Sequence, residues 1–170
     1  AYKNASGNLL GSWLFSLTYH AKDWNLRAYY DHYFEDHSMM FFEYGWLDGM
    51  VGVELQMPKN KWLSTFVYEY IKTTYQGGPV YHDSTSEIPD QISAVDNYYN
   101  GLLYTGWQHW GMSMGSPFLI SPIYNQVNHP NFFHNIKGNI NFYYNRVQSH
   151  HFGICGSPIE GLDYRLLVSH

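Results

Sequence analysis

The sequence predicts an all-β protein: an antiparallel up-and-down meander, part of a transmembrane β-barrel. Three observations carry this. Apolar and polar residues alternate with period two in segment after segment, as in strands with two unlike faces. The connections run short, long, short, long, short, so all tight turns fall at one end of a meander and all long loops at the other. Aromatic residues reach 19% (17 Tyr, 10 Phe, 6 Trp) while charged residues stay at 14%, a balance suited to covering an amphipathic interface.

The strands follow in order. Leu10–His20 sets Trp13, Phe15, Leu17 and Tyr19 against Ser12, Ser16, Thr18 and His20. After a tight Ala21-Lys22-Asp23, Trp24–Asp36 puts Trp24, Leu26, Ala28, Tyr30, His32 and Phe34 on one face. Its other face is Asn25, Arg27, Tyr29, Asp31, Tyr33 and Glu35. A long connection, Asp36 to Gly49, leads to Met50–Met57, where Val51, Val53, Leu55 and Met57 oppose Met50, Gly52, Glu54 and Gln56. Pro58–Lys61 turns the chain into Trp62–Thr73. From Tyr75 to about Asn145 runs the longest connection, with room for one more strand pair. Arg146–Gly156 then meets Leu162–His170 across Ser157–Gly161.

A chain of 170 residues suffices for one domain with a core, and 1–170 reads as a single incomplete barrel domain with both ends missing. Net charge of -5 gives no support to a basic nucleic-acid-binding surface. The single cysteine, Cys155, forms no internal disulfide and reads as a buried, unreactive thiol. No apolar run approaches the length of a transmembrane helix, and no leader peptide is visible.

A β-sandwich also alternates, but its core excludes charge. Here Arg27, Asp31, Glu35, Glu54, Asp163 and Arg165 recur on one face, which suits a polar lumen with the apolar face towards lipid. Trp13, Tyr19, Trp24, Trp62 and Tyr70 stand near segment ends, as in interfacial girdles.

Motifs for chemistry are few. "HYFEDH" (His32–His37) resembles an inverted zinc-protease signature, but a strand sends His32 and Glu35 to opposite faces, and "SHH" splits its histidines likewise. No metal site is expected. Glu35, Glu54 and Glu69 could serve as general acids; the favoured reading is a lumenal network with Arg27, Arg165 and Lys72. In the longest connection, Tyr104, Trp107 and Trp110 surround Gln108 and His109, with Tyr81, His82, Asp83, Asp90 and Gln91 upstream. Flat aromatic faces stack on sugar C–H surfaces, and amides and carboxylates take hydroxyl hydrogen bonds. The alternative is that these tryptophans pack the loop or anchor it at the interface.

The stretches "FEDHSMMFFEYGWLDGMVGVELQMPKN", "YHDSTSEIPDQIS", "YTGWQHWGMSMGSP" and "NRVQSHHFGICG" are similar to the capsule assembly Wzi family, in the form common in Bacteroidota. The resemblance runs over nearly the whole chain from Leu10. It implies an interior stretch of a larger outer-membrane barrel, with long loops extracellular and outer-membrane lipid around it. It also implies a non-catalytic, lectin-like role binding or anchoring capsular or extracellular polysaccharide, with no cofactor. The alternatives are a porin-like oligosaccharide channel, a surface glycan hydrolase and a soluble sandwich lectin.

Overall fold

In the computed structural model, the described residues are 10–34, 40, 48–76, 86, 98–99, 106–109, 111–113, 118–121, 142 and 144–170. The chain divides into two compact units. One comprises Trp13–His32, Gly49–Lys72 and Gln148–His170; the other comprises Ala1–Ser12, Tyr33–Asp48 and Thr73–Val147. The protein is all-β. Six long strands, β1 (Gly11–His20), β2 (Asn25–Phe34), β3 (Gly49–Gln56), β4 (Thr65–Lys72), β7 (Gln148–Ile159) and β8 (Leu162–Ser169), form one sheet in the order β1-β2-β3-β4-β7-β8. It is the expected antiparallel meander. The expected extra pair is present as two-residue strands, β5 (Gln108–His109) and β6 (Met112–Ser113), forming a ribbon of their own.

Turn chemistry sets the strand ends and corrects two of the expected bounds. Asn60 organises the β3–β4 turn: its Oδ1 accepts from the amides of Trp62 (3.0 Å) and Leu63 (2.8 Å), and its Nδ2 donates to the Leu63 carbonyl (2.7 Å). With those amides drawn into the turn, β4 starts at Thr65 rather than Trp62. At the other hairpin β7 continues to Ile159, so the turn is Glu160–Gly161 rather than Ser157–Gly161. A register shift between Gly156 and Ile159 absorbs the extra residues, with the Ser157 amide donating to the Asn60 carbonyl at 2.9 Å. Gly161 has φ 78°, a backbone state that favours glycine in a tight hairpin.

The register aligns two unlike faces. On one, Leu26–Leu55–Phe66–Ile154–Leu166 forms a row across five strands, and Ala28–Val53–Tyr68–Phe152–Val168 forms the next. Much of this face is open: Leu166 is 53% exposed, Val168 52% and Phe152 45%. Tyr19, Trp24 and Trp62 stand at the tight-turn end, and Tyr30 and Tyr70 belong to the row nearer the long connections. The other face carries every Asp, Glu and Arg of the six long strands among the described residues. Lys72 differs: it shares parity with Tyr70, which removes it from the expected network. No described helix is long and apolar enough to cross a membrane.

The second unit has its own core. Phe34, Tyr98, Tyr99, Leu119 and Phe142 are buried together, with Tyr33, Met40, Trp107 and Val147 packed against them. The Tyr99 and Phe142 rings lie 4.7 Å apart. Each such side chain contributes about 1.5–3 kcal/mol by leaving water, enough to order a segment with little regular structure.

Candidate functional site

Two groups of residues carry the chemistry, one in each unit. On the charged face of the sheet, Arg27 Nε donates to Ser16 Oγ at 3.0 Å, and its guanidinium lies 3.6 Å from the Glu54 carboxylate. Gln56 Nε2 donates to the same carboxylate at 2.5 Å. The Arg27 guanidinium also sits 4.8 Å from the Tyr29 ring centroid. Tyr29 reaches across the sheet: its ring lies over Gly52, in the space a Cβ would occupy, and its hydroxyl donates to Glu69. In the register Tyr29 pairs with Gly52 and Gly52 with Glu69, so the bond spans two strands, and only a residue without a side chain permits it.

The remaining expected network members separate. Asp163 accepts from Ser157 Oγ at 2.6 Å and pairs with Lys59 at 3.1 Å, tying the two hairpin ends together. Asp31 shares the charged face opposite Met50, and its Oδ1 is buried without a hydrogen-bond partner. Arg165 is exposed, opposite Cys155, and makes no ion pair among the described residues. Glu35 lies outside the described residues. Cys155 is half-buried rather than buried, because it stands on the open charged face opposite exposed Arg165; the Ser64 hydroxyl lies 3.5 Å from its sulfur.

The histidine pair divides across the sheet as alternation requires. His150 meets Tyr68 Oη at 2.9 Å and the Tyr70 ring at 4.8 Å on the apolar face, while His151 Nδ1 lies 2.8 Å from Ser169 Oγ on the charged face. Among the described residues no group of three His, Cys, Asp or Glu could hold a metal ion.

In the second unit, the expected glycan-binding residues divide into an inward and an outward part. Gly106 at φ 63° sits hard against the Tyr98 carbonyl, which lets the Trp107 amide donate to that carbonyl at 2.5 Å. Trp107 packs edge-on against Tyr33 with centroids 6.2 Å apart, and its Nε1 is buried without a hydrogen-bond partner. Gln108 is buried and donates its amide to the Tyr99 carbonyl at 2.7 Å. His109 is exposed on the same short ribbon. Tyr104, Trp110, Tyr81, His82, Asp83, Asp90 and Gln91 lie outside the described residues. Trp107 and Gln108 therefore follow the packing alternative, and His109 is the described side chain presented outward.

The node that holds this unit was not anticipated from the sequence. Buried Asp48 accepts from the amides of Tyr75 (2.9 Å) and Gln76 (2.5 Å) and from Tyr98 Oη (2.9 Å). Gln76, at φ 44°, donates to the carbonyls of Thr73 and Asn145 and accepts from the Tyr98 amide. Asp48-Gly49 was the available signal, an acceptor followed by a residue at φ 150° where a strand begins. Burial alone pushes the neighbouring Tyr99 phenol well above its ordinary value.

No family model, no curated protein and no solved structure matches this chain.

Proposed function

We propose that the chain is part of the wall of an outer-membrane β-barrel whose long connections hold polysaccharide at the cell surface, without catalysis. The observation that supports it most is the inverted polarity of the sheet. Two adjacent rows of the apolar face, from Leu26 to Leu166 and from Ala28 to Val168, contain no ionisable side chain other than the Tyr68 phenol. An exposed apolar patch larger than a few hundred Å² marks an interface in a water-soluble protein, whereas in lipid it is the required surface. The strands, 8 to 12 residues long, suit the roughly 9–11 residues of a tilted membrane strand. Aromatic residues at both ends of that band, Trp24 and Trp62 at one and Tyr30 and Tyr70 at the other, suit the two girdles of such a barrel.

The charged face supports the non-catalytic part of the reading. Glu54 is engaged by Arg27 and Gln56, and Glu69 by Tyr29, which is how a stiffening network uses carboxylates. Polysaccharide would be held at the long connections, with Trp107 and Gln108 building the platform beneath exposed His109. Each contact is weak, and a repeating polymer multiplies it.

The test is the full-length parent protein, recovered from the outer-membrane fraction and run on a gel with and without boiling. A boiling-dependent mobility shift and retention of purified capsule polymer are expected. Recovery in the soluble fraction with no shift would sink the reading and return the apolar face to a sandwich core. A porin-like channel draws on the same charged face; steady conductance in a planar bilayer would favour it over the anchoring role.

A further inference from the structure

The charged face carries a hollow of about 420 Å³ over β4, β7 and β8, within the range of roughly 300–1,000 Å³ of small-ligand sites. Its floor is the row Val67–Gly153–Leu167. The floor is low because of Gly153: a Cβ there would lie 3.0 Å from Leu167 Cδ2 and 3.7 Å from Val67 Cβ. One rim is the row holding Glu69 and His151, and the opposite rim holds Arg165. The rims lie four residues apart along β7, about 13 Å, which leaves room for two linked pyranose rings between them.

We propose that this hollow is a binding subsite for an acidic disaccharide unit, with a sugar carboxylate on Arg165 and the neighbouring ring towards Glu69. It is separate from the long connections, and its link to capsule rests on the reading above. The chemistry selects this ligand from its alternatives. Arg165 presents an exposed guanidinium with no ion pair among the described residues, and its planar fork matches a carboxylate bidentately. The Val67–Gly153–Leu167 floor takes the C–H face of a sugar ring, where a side chain at position 153 would block it. Glu69 keeps lone pairs beyond the one used by Tyr29 and accepts a hydroxyl. A fatty acid would satisfy Arg165 and the floor but waste Glu69. A doubly charged anion would be repelled by Glu69. A hydroxyl-rich ligand with one negative charge at one end uses all three.

The experiment uses the full-length protein in detergent, titrated calorimetrically with cellobiouronate (glucuronosyl-glucose, one carboxylate) and with cellobiose as the neutral counterpart. Cellobiouronate is expected to bind about tenfold more tightly than cellobiose. Arg165→Gln removes that preference and leaves cellobiose unchanged; Gly153→Leu weakens both. Should Gly153→Leu fail to fold, Arg165→Lys, which keeps charge without the fork, gives an intermediate loss. Equal affinities for the two sugars, no binding of either, or cellobiouronate affinity unchanged in Arg165→Gln would each overturn the subsite. A preserved gel shift and polymer retention without cellobiouronate binding would overturn the hollow alone. Arg165-dependent cellobiouronate binding by a protein with no gel shift would overturn the barrel and leave the hollow standing.

Discussion

Replacing Ala28 with Arg tests the inverted sheet where its two readings differ most. Ala28 is exposed and belongs to the row Ala28–Val53–Tyr68–Phe152–Val168, four residues, or about 13 Å, along β2 from Trp24 at the tight-turn end. If this face meets lipid, Ala28 sits near mid-bilayer, where an outward-facing Arg costs about 2–4 kcal/mol. The same substitution at Trp62, 77% exposed beside the tight turn, falls at the interface and costs about 0–1 kcal/mol. The assay is urea unfolding of the full-length protein refolded into phosphatidylcholine vesicles, read by gel mobility. With a slope of about 2 kcal/mol/M, Ala28→Arg lowers the midpoint by about 1–2 M and Trp62→Arg by less than about 0.5 M. Thr65→Arg, on the charged face, serves as the control for adding charge and is expected to behave like Trp62→Arg. Equal shifts at positions 28 and 62, or none at 28, would refute the depth argument and with it the lipid-facing assignment.

Other expectations follow from single contacts. Gly52→Ala drives a methyl into the Tyr29 ring and breaks the bond to Glu69; a loss of about 1–3 kcal/mol is expected in the same urea assay, against a smaller loss for Tyr29→Phe. Asp48→Ala leaves the Tyr75 and Gln76 amides and the Tyr98 hydroxyl without their acceptor, at a cost of about 3 kcal/mol or more, and is expected to raise protease nicking of the Thr73–Val147 segment while the boiling shift persists. His109→Ala is expected to weaken polymer retention, whereas Gln108→Ala lowers both retention and protease resistance, because the Gln108 amide holds the Tyr99 carbonyl. The 170-residue stretch alone is expected not to form a monodisperse monomer in detergent-free buffer, which size-exclusion chromatography reads directly.

Alternation made the sheet legible because strand periodicity is local: each of the six long strands lies within three residues of its expected bounds, and the apolar and charged faces sort as read, Lys72 aside. The errors fall where a distant partner decides. β4 begins late because Asn60 takes the amides of Trp62 and Leu63, and β7 runs on because its bulge finds the Asn60 carbonyl. Composition left Trp107 and Gln108 open between sugar stacking and loop packing, since amides and rings suit both; the position of the Tyr98 and Tyr99 carbonyls reveals that these two pack inward. Asp48 was invisible for the same reason, since its three donors come from positions 75, 76 and 98. The Tyr29–Gly52–Glu69 bridge needed the register of three strands, which no single segment contains.

On the barrel reading proposed above, a division of labour between strands and connections accounts for the arrangement of charge. A strand that gives one face to lipid would keep Asp, Glu and Arg on the other, which is where all six of them stand in the long strands among the described residues. Away from bulk water such groups demand partners, and Arg27, Glu54, Tyr29 and Glu69 supply them to one another across neighbouring strands. On that reading these bonds tie the sheet laterally where a lipid-facing apolar surface would give it no hydrophobic packing. On the same reading recognition would reside in the long connections, whose described residues are held by the Asp48 node and the Tyr99–Phe142 contact. A change in ligand would then require only exposed positions such as His109 to vary, with the polar ties of the proposed wall left intact.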